Sequence, residues 1–94
     1  AYMMLAWSPI KKKVIIDMGS LKLPANDEQH QYQLWAIVGG KPVDLGVFDV
    51  NSNPATAIKV MKQVEAPQAF AVTLEPKGGS INPTMANLTA ISKI

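Results

Sequence analysis

Phe70-Ala71-Val72-Thr73-Leu74-Glu75-Pro76-Lys77-Gly78-Gly79-Ser80-Ile81-Asn82-Pro83-Thr84 holds the two signals that decide the fold. Phe70, Val72 and Leu74 share one face of an extended chain while Ala71, Thr73 and Glu75 share the other, the period of two that marks a strand. The strand then runs into turn formers. Pro76 fixes its φ near about −65°, Gly78 and Gly79 enter positive φ without steric cost, and Ser80 and Asn82 can bond local backbone groups. Glu75 to Thr84 therefore specifies one loop shape. Replacing Gly78 or Gly79 by alanine is expected to destabilise by about 1 kcal/mol if either has positive φ. With Glu75, Pro76, Gly78, Gly79 and Ser80, the pair Pro83 and Thr84 forms a candidate recognition or fold-determining turn.

On both sides of this strand, short apolar runs are separated by Gly, Pro, Asn and Asp, the pattern of a sandwich or barrel. Tyr2 to Trp7 reads as a strand, Ser8 to Lys12 as a hairpin loop and Lys13 to Met18 as its partner. Leu21-Lys22-Leu23-Pro24 alternates and stops at proline, and Ala25 to Gln31 is a polar loop. Tyr32 to Val38 is apolar on both faces from Leu34 on, which predicts a central strand, with Trp35 as a core anchor. Gly39-Gly40 then supplies the positive φ of a tight hairpin before Val43 to Phe48. Pro54 to Glu65 reads as a short strand, with one helical turn as the alternative because Ile58, Met61 and Val64 recur at helical spacing. Ala86 to Ile94 alternates as the final strand. The expectation is an all-β, antiparallel β-sandwich of seven to eight short strands.

Composition sets the limits. A chain of 94 residues, nearly half hydrophobic, holds one domain, residues 1–94, and buries only roughly 60 to 65 per cent of its unfolded surface. The net charge of +2 comes from lysines, with no arginine, which argues against nucleic acid or phosphate recognition because the guanidinium fork is the usual tool. Absent cysteine does not identify a compartment. No apolar run approaches the roughly 18 residues of a membrane span. Ala1 in place of an initiator methionine favours a fragment of a longer protein.

Catalytic chemistry lacks its parts. The one histidine, His30, falls in the polar loop, so a serine nucleophile has no evident base. Gly79-Ser80 lacks the spacing of a nucleophile elbow. Zinc normally takes three or four His, Cys or carboxylate ligands, and the chain has one His and no Cys. Asp49-Val50-Asn51-Ser52-Asn53 imitates a calcium loop, but Pro54 stands where glycine must turn and Val60 where a bidentate Glu must close. Glu75 to Ser80 lacks the Gly-Lys-Ser/Thr order of a phosphate cradle. Asn87-Leu88-Thr89 matches a glycosylation acceptor, a short pattern common by chance. No catalytic, cofactor-binding or metal residue is assigned, and no cofactor is expected.

Tyr32-Gln33-Leu34-Trp35, then Pro42 to Leu45 with Gly46-Val47-Phe48, then Phe70 to Ser80 with Pro83-Thr84 resemble, in order and spacing, the C-terminal domain of anti-sigma-K factors. The resemblance is strongest from Tyr32 to Thr84. It implies a non-enzymatic extracytoplasmic domain of a single-pass membrane protein, on the periplasmic or outer face of the inner membrane. The sigma factor would be held by a cytoplasmic domain N-terminal to this chain and released by a site-one and an intramembrane protease. No nucleic acid contact is implied, and a homo-oligomer is compatible with it. The alternative is a free periplasmic or secreted module binding a small ligand or glycan.

Overall fold

A computed structural model describes residues 5–8, 10–17, 24–50, 58–60 and 62–93. It is all-β, built from two antiparallel sheets. Seven strands are described: β1 (Leu5–Ser8), β2 (Lys13–Asp17), β3 (His30–Val38), β4 (Lys41–Phe48), β5 (Ile58–Val60), β6 (Ala69–Pro76) and β7 (Leu88–Lys93). The smaller sheet has the order β1-β2-β5 and the larger β4-β3-β6-β7. β3 therefore has a partner on both edges, as its two-sided burial requires. Gly39 and Gly40 turn the chain into β4 with φ of +59° and +78°, the pair of positive angles that a two-residue hairpin demands.

Register sorts the side chains of the larger sheet. Leu34 lies opposite Val72 and Ala36 opposite Phe70, and these residues pack with Tyr32, Leu45, Phe48 and Ala90, and with Val14 of β2, in one buried cluster between the sheets. Tyr32 stacks on Phe48 with ring centroids 5.9 Å apart, and its hydroxyl donates to the Pro24 carbonyl. The Trp7 indole N–H donates to the Val64 carbonyl and so joins the smaller sheet to the segment before β6. Across the same strands, Gln31 faces Glu75, Gln33 faces Thr73 and Trp35 faces Ala71. That second row looks away from the small sheet.

Several elements differ from the sequence expectation. His30 and Gln31 are not loop residues but open β3, because they pair with Pro76 and Glu75 on β6. The helical spacing of Ile58, Met61 and Val64 does not produce a helix at Ile58–Val60, which pairs with β2 instead; residues 54–57 and 61 lie outside the described residues. Among the described residues the one short helical turn is Met85–Asn87, a 3-10 turn closed by the Asn87 N–H on the Thr84 carbonyl. The last strand consequently starts at Leu88 rather than Ala86. The expected strand positions Tyr2 to Met4, Met18, Leu21 to Leu23 and Ile94 also lie outside the described residues.

Candidate functional site

The outward row of β3 and β6 carries the most organised polar cluster among the described residues. Polar side chains on central strands must find partners once they are covered, and here the cover is the Pro76 to Asn87 loop, which folds back across the sheet. Glu75 has no exposed surface. Its carboxylate accepts four hydrogen bonds: from Thr73 Oγ1 at 2.6 Å, Ser80 Oγ at 2.9 Å, Thr84 N–H at 2.8 Å and Thr84 Oγ1 at 2.7 Å. A carboxylate offers about four acceptor positions, so this one is saturated. Burial pushes the Glu75 carboxyl up, but the donors from Thr73, Thr84 and Ser80 together outweigh it and hold the group below the ordinary glutamate value.

Trp35 extends the chain of bonds. Only 1% exposed, it donates through Nε1 to Thr73 Oγ1 at 2.9 Å, and the same hydroxyl passes its proton side to Glu75. The tryptophan therefore sits on the sheet face that bears the polar row, outside the buried cluster shared by the two sheets. Covered to this degree, its ring is no open stacking platform for a ligand.

Two glutamines grip the loop from β3. Gly78 N–H donates to Gln31 Oε1 at 2.9 Å. Gln33 uses both ends of its carboxamide: Oε1 accepts from Ser80 N–H at 2.8 Å, while Nε2 donates to the Ser80 carbonyl and to Asp44 Oδ1. Burial pushes the Asp44 carboxyl up, but the donors from Gln33 and Gly46, with Lys62 nearby, bring it below its ordinary value. The turn itself is closed by Gly79 N–H on the Pro76 carbonyl at 2.9 Å. Gly78 occupies the third turn position with φ of +93°, where a type II turn needs a positive angle. Gly79 has φ of +88°, and a Cβ there would lie 2.9 Å from both Gln33 Oε1 and Val47 Cγ1.

Of the turn residues read from the sequence, Glu75, Ser80 and Thr84 converge on one hydrogen-bond centre, and Pro76, Gly78 and Gly79 shape the approach to it. Pro83 makes no contribution to this bonding. Gln31, Gln33, Thr73 and Asp44 escaped the sequence reading. A signal for Gln31, Gln33 and Thr73 was available: polar residues alternate with apolar ones on the two strands with the clearest two-sided burial, a pattern that requires internal partners.

His30 lies elsewhere, with Nδ1 at 2.8 Å from Asp27 Oδ1. The His30 hydrogen bond, then the backbone donor from Gln29, keeps the Asp27 carboxyl below its ordinary value. The pair borders an open polar cleft of about 400 Å³ lined also by Glu28, Gln31, Asp49 and Lys77. Among the described residues no group of three or more His, Cys, Asp or Glu is placed to hold a metal ion. No helix among them is long and apolar enough to cross a membrane.

Fold and site together define a small all-β domain whose most organised polar residues bond to one another and to a surface loop. The family model described as "Anti-sigma-K factor rskA, C-terminal" matches residues 1–89, and the chain belongs to that family. It is thus a domain of the anti-sigma factor type. Searches of curated proteins and of solved structures found no match.

Proposed function

We propose that the chain is the extracytoplasmic, non-enzymatic regulatory domain of a membrane-bound anti-sigma factor whose sigma factor is freed by regulated proteolysis. Membership of the anti-sigma-K factor C-terminal family supports the regulatory context. The observation that carries a structural rather than chemical role is the saturated Glu75 carboxylate. Its lone pairs are taken by Thr73, Ser80 and Thr84, and so no lone pair is left to accept a substrate proton. Contact with the sigma factor falls to another part of the full-length protein, and this domain senses a signal or shields the connecting stalk from the first protease.

Deleting residues 1–94 from the full-length protein in its host, with a reporter on a promoter of the cognate sigma factor, tests this. A shield predicts a reporter that is always on. A sensor needed for cleavage predicts one that is always off. Induction identical to wild type would sink the proposal. Fusion of alkaline phosphatase after Ile94 tests the location, since an inactive fusion would place the domain in the cytoplasm.

A further inference from the structure

The Pro76 to Asn87 loop is fastened differently along its two halves. From Lys77 to Ser80 the backbone is held by groups that do not titrate. Lys77 N–H donates to the Gln29 carbonyl, Gly78 N–H to Gln31 Oε1, and Ser80 bonds the Gln33 carboxamide through both its N–H and its carbonyl. From Ile81 to Asn87 no residue is buried, and Ile81 and Met85 are 94% and 64% exposed. Apolar packing therefore does not hold this second arc. Among the described residues its bonds to the sheet are those of Thr84, through N–H and Oγ1, to the Glu75 carboxylate, and a long contact of 3.3 Å from Asn87 Nδ2 to the Leu74 carbonyl.

Glu75 carries its charge without a cation. The ion pairs among the described residues join Lys12 to Glu65, His30 to Asp27 and Lys62 to Asp44, and the stretch from Gly78 to Leu88 has no charged residue. On β3 the residue opposite Glu75 is Gln31, and at the start of β7 Leu88 lies opposite Thr73. The titratable groups of the adjoining strands are His30, opposite Pro76, Tyr32, which packs into the core on the other face, and Asp44, joined to the network through Gln33. Lys77, two residues on, is exposed. The charge thus rests on four neutral donors, three of them on Ser80 and Thr84.

We infer that the arc from Ile81 to Asn87 is a flap latched by Glu75, which a proton on that carboxylate opens while the sheet stays folded. A protonated carboxyl turns one oxygen into a donor and loses acceptor capacity. Bonds to a charged acceptor are also roughly twice as strong as neutral ones, so all four weaken together. The hydroxyls of Thr73, Ser80 and Thr84 can rotate to accept from the new O–H, but the Thr84 N–H cannot turn. Ser80 stays tied to Gln33, so the release falls on Thr84 and the arc beyond Ser80 swings out. Sub-global opening favours segments with few buried contacts, the condition of residues 81–87. Because its donors hold the Glu75 carboxyl below the ordinary value, the latch is closed at neutral pH and opens in acid. Opening brings water to Glu75 and to Thr73, whose hydroxyl accepts from Trp35 Nε1. The flap is a property of this chain alone and does not depend on a regulatory role.

Amide hydrogen exchange of the 94-residue chain, followed by NMR from neutral pH down to about pH 2 and corrected for the intrinsic pH dependence of exchange, tests the latch. Thr84 is expected to lose at least about tenfold in protection, the worth of one bond to a charged group, while the amides of β3 and β6 keep theirs. In Glu75→Gln, which cannot titrate, Thr84 is expected to hold one level of protection over the same range, and in Asp44→Asn the loss should persist. The parent chain supplies a second reading that needs no variant: the Glu75 carboxyl carbon shift and the Thr84 amide shift should titrate with one midpoint. Protection at Thr84 that is independent of pH overturns the inference, as does a loss shared equally by β3 and β6, since the domain would then unfold as a whole. An unchanged acid response in Glu75→Gln, or two distinct midpoints in the parent, refutes Glu75 as the latch.

Discussion

Replacing Gly79 by alanine separates the two glycines of the loop, which the sequence alone treats alike. Both have positive φ, +93° at Gly78 and +88° at Gly79, so each alanine incurs a left-handed penalty of about 1–2 kcal/mol. Each also gains about 0.4–1 kcal/mol because alanine restricts the unfolded chain. At Gly78 the added Cβ meets nothing within 4 Å, and the net cost is about 1 kcal/mol. At Gly79 the Cβ would sit 2.9 Å from Gln33 Oε1 and Val47 Cγ1, closer than non-bonded atoms approach. Gln33 is fixed by bonds to Ser80 and Asp44 and cannot retreat without breaking at least one or two of them, at about 0.5–1.5 kcal/mol each. The total for Gly79→Ala is about 2–4 kcal/mol, a fall of roughly 10 °C or more in Tm for a domain this small. Urea titration followed by the fluorescence of buried Trp35 measures both variants. Equal destabilisation of the two, or none at Gly79, would refute the close approach of the loop to Gln33.

Further outcomes follow from the same network. Glu75→Gln keeps shape, and the amide nitrogen can donate to the Ser80 and Thr84 hydroxyls, so a loss of about 1–2 kcal/mol is expected. Glu75→Leu strands the Thr84 N–H and should cost about 3 kcal/mol or more in the same urea assay. Because Glu75 and Asp44 are held below their ordinary values, the unfolded chain binds more protons in acid. Stability is then full above the ordinary carboxylate range, about pH 4, and falls as pH drops through the lowered values. Glu75→Gln should flatten that acid limb without abolishing it, since Asp44 still titrates. Trp35→Phe removes the indole donor to Thr73 and some volume, and calorimetry should find about 2 kcal/mol lost.

The strands that position this network were legible because their signals are local. The alternation from Phe70 to Glu75, the two-sided apolar run around Leu34, and Gly39-Gly40 each announce an element within a few residues. What stayed hidden depends on contacts far along the chain. His30 reads as a loop residue until Pro76 lies beside it. Gln33 reads as one more polar residue until Ser80, far along the chain, lies against its carboxamide. The start of β7 was displaced for a similar reason: the Ala86 to Ser92 alternation looks continuous, but the Thr84 to Asn87 turn and the bulge at Thr89 interrupt it. The turn from Glu75 to Thr84 was recognised as a shape, whereas its centre, a buried carboxylate, was not.

Gln33 stands in for a strand. Its carboxamide accepts from Ser80 N–H and donates to the Ser80 carbonyl, the reciprocal exchange that a peptide unit makes in an antiparallel ladder. The loop is thereby hydrogen-bonded by side chains rooted in the sheet, and the side chains of Lys77, Ile81 and Asn82 at its exposed crest take no part. Instructions for its geometry reside in the floor beneath it, so the crest is free to diversify in chemistry while its curvature is inherited unchanged. Grafting this loop onto another sheet would accordingly succeed only if Gln31, Gln33, Thr73 and Glu75 travelled with it.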